Sequence, residues 1–199
     1  MENARSHIPR AEPEFWGREE QFALNALRWN CISGDPLVDR LDGQFADYLD
    51  MPFAVLTSNG TTAIQAASLA LDVQIGDENI CPGFAFTAAA NVTLREGASP
   101  VFVDVDLETW CITAETIAAA IKARAVGVIA VHTYGNMYDL QPILDLAHKQ
   151  GLWVLVDAAE SFGLILWRLP SGDGVGYCYL YRTCDKDGYD RGGRCRGHA

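Results

Sequence analysis

The stretch TSNGTTA, residues 57–63, sets a glycine among small hydroxyl residues at the head of an apolar-periodic run. A helix starting there presents free backbone N–H groups and hydroxyl donors at Gly60, Thr61 and Thr62, which is a phosphate cradle by helix-terminus physics. The same residues serve equally as an ordinary helix cap, with Ser58 or Asn59 as the capping side chain. The stretch is neither a Gly-Lys-Ser/Thr phosphate loop nor a G-x-G-x-x-G turn. Asp157 ends the apolar run LWVLVD. A carboxylate there must be solvated, paired or functional, because burying it bare is costly. Phe86, in PGFAFTAAAN, is a core residue or a flat face for a planar ring. Cradle, flat aromatic and strand-end acid together describe a pocket for a phosphorylated aromatic cofactor. Pyridoxal phosphate fits each part, the acid keeping the pyridine nitrogen protonated so that the ring serves as an electron sink.

Metal chemistry has weaker support. None of the six cysteines forms a C-x-x-C pair, so zinc is not expected and buried or incidental thiols are preferred. DKDGYD (Asp185, Asp187, Asp190) has carboxylates around a glycine. That glycine is misplaced for a calcium loop, and no bidentate glutamate follows at the twelfth position. GDGVG, residues 172–176, follows no clear strand. The net charge of −11 argues against nucleic acid, whose binding needs a basic face. No apolar run is long enough for a membrane span, and the first twenty residues have no signal-peptide core. The expected compartment is the cytoplasm.

The elements that must position these groups alternate. FAVLT (53–57), NICP (79–82), PVFVDVD (100–106), AVGVIAVH (125–132) and LWVLVD (152–157) read as strands. TTAIQAASLALD, FTAAANVTLREG, AETIAAAIKA and LQPILDLAHKQG read as the helices between them, with Thr113 a cap and Gly97 and Gly151 stops. Upstream, Leu37, Leu41, Phe45 and Tyr48 share one helical face. Continuous apolar strands alternating with helices predict an α/β domain whose mostly parallel sheet is covered on both faces. In such sheets ligands sit outside the carboxyl ends of the strands, where the 57–63 turn after FAVLT, Phe86 and Asp157 are expected to fall.

From residue 8 to residue 163 the chain resembles the DegT/DnrJ/StrS sugar aminotransferases. The resemblance rests on SNGTTAIQAASLALDVQIGDENICPGFAFTAAANVTLREGASPVFVDVD, on VIAVHTYGNMYDL and on VDAAESFG, in the right order at plausible spacings. It implies the large domain of a fold-type I pyridoxal-phosphate enzyme of the aspartate aminotransferase fold. It also implies amino transfer from glutamate to a keto sugar nucleotide, and a homodimer for an intact member. Gly60, Thr61 and Thr62 correspond to the phosphate-binding residues, Phe86 to the stacking aromatic and Asp157 to the partner of the pyridine nitrogen. Glu160 stands where the family commonly has a glutamine or histidine near the ring hydroxyl. His132 and Tyr134 match H-x-Y-G, read mainly as structural.

After Gly163 the resemblance stops. The family continues into a hairpin, a strand leading to the Schiff-base lysine, and a smaller domain; the only lysine here is Lys186, in unrelated surroundings. Codons for residues 183–198 read one nucleotide later can spell a lysine segment of the family's type. The expected organisation is therefore an N-terminal segment and partial cofactor domain over 1–163, and an out-of-frame, poorly ordered tail over 164–199. No catalytic residue is assigned, and the chain as written is expected to be inactive. The alternative is a non-catalytic fragment with weak cofactor binding or an interaction role.

Overall fold

The computed structural model describes residues 15, 17–29, 36–49, 51, 53–161, 165–166, 169–170 and 178–181. The chain divides into two compact units, Met1–Val55 and Leu56–Ala199. The first holds α1 (Glu19–Arg28) and α2 (Pro36–Tyr48). The apolar spacing predicts α2 but not α1. What favours α1 locally is its charge placement, with Glu19 and Glu20 in the first turn and Arg28 in the last, complementing the helix dipole.

The second unit carries the alternation: α3 (Gly60–Ala70), β1 (Glu78–Pro82), α4 (Ala88–Arg95), β2 (Ser99–Val103), α5 (Ala114–Ala120), β3 (Ala125–Val131), α6 (Leu140–Gln150) and β4 (Trp153–Asp157). Three short strands follow, β5 (Ile165–Leu166), β6 (Leu169–Pro170) and β7 (Cys178–Tyr181). The main sheet runs β2-β1-β3-β4-β7. Its first four strands are parallel, and β7 is antiparallel to β4, with Asp157 opposite Cys178. β5 and β6 pair antiparallel in a two-residue ladder. These strands lie inside 164–199. Lys186, DKDGYD, GDGVG, Cys31, Cys184 and Cys195 lie outside the described residues.

Local chemistry sets the helix ends. Thr113 caps α5 by accepting from the Thr116 N–H, and Gly151 closes α6 at φ 69°, a left-handed conformation that glycine adopts without steric cost. β1 and β4 are buried along their whole length: β4 is a continuous apolar run up to Asp157, while β1 buries Glu78 against Arg124 and Asn79 against Thr93. Residues 53–57, read as a strand, run without a ladder, with Phe53 and Val55 largely exposed. A short apolar run becomes a strand only where a neighbour satisfies its backbone, and periodicity does not report that neighbour.

One core cluster decides how the sheet meets α3 and α4. Ile64 of α3, Leu71 just after its end, and Ala88, Ala89 and Val92 of α4 pack with Cys81, Ile129, Trp153 and Leu155 of the sheet. Gly127 sits opposite Trp153 in the β3–β4 register, and the indole lies across it. A Cβ at Gly127 would overlap the indole ring atoms. Overpacking of this kind costs about 1–3 kcal/mol. Gly127→Ala is therefore expected to lower the urea midpoint by the equivalent of about 2 kcal/mol at unchanged m-value. A midpoint within error of the parent would contradict the packing. Among the described residues no helix is long and apolar enough to cross a membrane.

Candidate functional site

The four parallel strands end at one edge of the sheet, and the loops leaving that edge carry Phe86, His132, Tyr134, Asp157 and Glu160, whereas Gly60, Thr61 and Thr62 open α3 after a segment with no ladder, not after the expected strand. Side chains alternate faces along a strand, so Trp153, Leu155 and Asp157 of β4 share one face. The first two pack with Ile64 of α3. Asp157 thus closes β4 at its carboxyl end, on the face that α3 covers. Its carboxylate is buried and accepts from the Ala159 N–H at 3.1 Å. Burial raises its pKa above the ordinary carboxylate value, opposed by the Ala159 hydrogen bond and reinforced by the charge of Glu160.

The loop after β3 runs beside Asp157. The His132 N–H donates to the Asp157 carbonyl at 3.0 Å, continuing the ladder by one bond. The His132 imidazole is buried, with Nδ1 2.6 Å from Ser161 Oγ and its ring centroid 4.5 Å from that of Tyr138. Burial pushes His132 down to about 4, so it is neutral at pH 7. Tyr134 lies in the 3₁₀ turn Thr133–Gly135 at φ 55° and ψ 29°, followed by Gly135 at φ 80°. Its N–H donates to Glu160 Oε2 at 2.6 Å.

Three loops then bring aromatic rings together. Phe84 follows β1, Trp110 follows β2 and Tyr134 follows β3; their centroids are 5.7 to 6.2 Å apart in edge-to-face pairs. Trp110 also takes a left-handed backbone, φ 58°. Phe86 stands in the β1 loop, just ahead of α4, with its ring 75% exposed.

The first turn of α3 realises the capping arrangement. Asn59 Oδ1 accepts the Thr62 N–H at 3.0 Å, and Thr62 Oγ1 accepts the Asn59 N–H at 3.2 Å and donates to the Asn59 carbonyl at 2.8 Å. This capping box engages the amide and hydroxyl of Thr62. The N–H groups of Gly60 and Thr61 are those that helix geometry leaves without intrahelical acceptors.

Asp157, Glu160, His132 and Tyr134 are thus gathered at one edge, with Phe86 on the first loop of that edge. Glu160 is occupied with the Tyr134 backbone. Sequence reasoning does not single out Ser161 or the Phe84–Trp110–Tyr134 cluster; the available signal is the H-x-Y-G stretch, which reads mainly as structural. Among the described residues no three His, Cys, Asp or Glu side chains are grouped to hold a metal ion.

Comparison with known proteins gives a consistent set of matches. Residues 17–172 match the profile of the DegT/DnrJ/EryC1/StrS aminotransferase family. GDP-perosamine synthase of Escherichia coli O157:H7 is 34% identical over 159 residues, covering 79% of this chain and 43% of that protein. An aminotransferase from Psychrobacter cryohalolentis, solved by X-ray crystallography, superposes at a TM-score of 0.73 with 34% identity, over 76% of this chain and 39% of that one. A Bacillus subtilis protein crystallised with the bound cofactor PMP superposes at 0.70 with 32% identity, over 73% of this chain and 34% of that one. The chain spans less than half the length of the curated relatives it matches.

Proposed function

The chain belongs to the DegT/DnrJ/EryC1/StrS aminotransferase family, and on that premise we propose that residues 57–161 build the cofactor site of a sugar aminotransferase. The cofactor is pyridoxal phosphate. The reaction is amino transfer from glutamate to a keto sugar carried on a nucleotide, in a homodimer.

The observation that carries this reading is Asp157: a buried carboxylate at the carboxyl end of a central strand, held by one backbone N–H. Such an acid is stabilised by a cationic hydrogen-bond donor brought to it. A protonated pyridine nitrogen is such a donor. When bound, pyridoxal phosphate supplies a conjugated ring that takes up the electron pair released at the substrate carbon. The protein's contribution is to bind and orient. Asp157 holds the proton on the ring nitrogen, so the ring keeps its positive charge. Gly60 and Thr61 direct first-turn N–H groups at the phosphate, and the Thr61 hydroxyl adds a donor. Thr62, through its capping bonds, holds that turn in shape. Phe86 offers an exposed face on which the ring stacks.

Calorimetric titration of the full chain with pyridoxal phosphate tests the reading. Saturable binding is expected, weakened at least tenfold in Asp157→Ala and lost when the phosphate is removed from the ligand. Equal affinity in the parent and the Asp157→Ala chain would sink it.

A further inference from the structure

Two hydrogen bonds join the turn after β4 to the turn after β3. Glu160 Oε2 accepts the Tyr134 N–H at 2.6 Å, and Ser161 Oγ bonds His132 Nδ1 at 2.6 Å. Consecutive residues of one turn, 160 and 161, thus hold alternate residues of the other, 134 and 132. A third bond, from the His132 N–H to the Asp157 carbonyl, joins the same two strand ends. The Glu160 bond falls on a residue that needs it. Tyr134 is a bulky side chain on a left-handed backbone, a conformation that persists only where its surroundings impose it. A carboxylate on a backbone N–H is a short, charge-assisted bond, suited to impose it.

We propose that Glu160 is a positioning residue rather than a cofactor ligand: with Ser161 it clasps the turn after β3, fixing the left-handed Tyr134 and setting the charge beside Asp157. The family's usual glutamine or histidine at this place is read as reaching for the ring hydroxyl. Here the side chain turns to the neighbouring loop. The consequence for Tyr134 is direct, because its backbone decides where its ring meets Phe84 and Trp110. The consequence for Asp157 is electrostatic. Glu160, three residues away, adds a like charge that favours the protonated acid, in the direction already set by burial.

Among the described residues few other charges face Asp157. His132, from the end of β3, is neutral at pH 7. The α3 turn (57–62) and the loop after β1 (83–87) contain no ionisable carboxylate or base. The ladder neighbour on β7 is Cys178. α6 carries Asp145, His148 and Lys149, the last two in its final turn, before the amino end of β4.

The clasp's bearing on a bound ring rests on the function proposed above. The test uses the cofactor-free 199-residue chain, so the clasp stands or falls apart from that function. NMR would follow amide exchange at Tyr134 and the carboxyl carbon of Asp157 through a pH titration, in Glu160→Ala and Glu160→Gln. In Glu160→Ala, exchange at Tyr134 should quicken at least tenfold and the Asp157 titration should move to lower pH. In Glu160→Gln, which keeps an acceptor and loses the charge, exchange should stay within about threefold of the parent while Asp157 still moves down. A merely structural role would not separate the two readouts. Unchanged Tyr134 exchange in Glu160→Ala, or an unmoved Asp157 in Glu160→Gln, overturns the proposal. Glu160→Gln keeps it testable if the alanine chain does not fold.

Discussion

Borohydride reduction of the 199-residue chain, after addition of one equivalent of pyridoxal phosphate, is expected to give no stoichiometric modification of any one of its three lysines, with no aminotransferase turnover. The enzyme class needs a lysine twice: to hold the cofactor covalently and to carry a proton between substrate and cofactor carbons. Lys122 stands three residues before β3, and Lys149 lies in the last turn of α6, just ahead of β4. Both therefore belong to the amino ends of strands whose carboxyl ends carry His132 and Asp157. A five-residue strand such as β4 spans roughly 16 Å at about 3.3 Å per residue, beyond the reach of a four-carbon stem. The sequence around Lys186 does not match the family's lysine segment. A chain continued after Gly163 through the family's lysine segment and smaller domain is expected to gain both attachment and activity. Mass spectrometry that found the cofactor on Lys186 of the present chain, together with turnover, would refute this.

Acid should destabilise the domain through His132. Its folded pKa, about 4, lies below the ordinary value of 6.5 because burial disfavours the imidazolium. Above pH 6.5 both folded and unfolded states hold a neutral ring, and the stability is fully present. As pH falls from there towards 4, the unfolded chain takes up a proton that the folded chain refuses, and stability drops. A difference of about two and a half pKa units corresponds to a loss of about 3 kcal/mol. Asp157 acts oppositely. Its folded pKa is raised, so folding carries a cost while it is ionised, and that cost is relieved as pH falls through its folded value. Urea unfolding at pH 7.5, 5.5 and 4.5, in the parent and in His132→Asn, separates the two. The parent should lose the larger share of its stability in that window, and the variant's profile should be flatter by about 3 kcal/mol. Parallel profiles would show that His132 titrates normally.

Much of this molecule follows from local chemistry. The α/β alternation was legible because β3 and β4, buried on both faces, are near-continuous apolar runs, and a covering helix repeats its apolar residues at helical spacing. Thr113 and Gly151 marked helix ends because a cap satisfies orphan backbone groups within a few residues of sequence. Asp157 announced itself because an acid at the end of such a run is out of keeping with it. Tertiary structure decided the rest. Residues 53–57 have strand-like composition and no ladder, because pairing depends on a neighbour that composition does not name. Gly127 became indispensable only when the β3–β4 register set Trp153 across it. The Glu160 bond to the Tyr134 N–H, across 26 residues and at 2.6 Å, was not legible, because only the sheet brings the two turns together. His132 met Ser161, and Phe84 met Trp110 and Tyr134, for the same reason. Parallel strands end at a common edge, so loops far apart in the chain become neighbours there, and only the order and register of the ladder determine which ones.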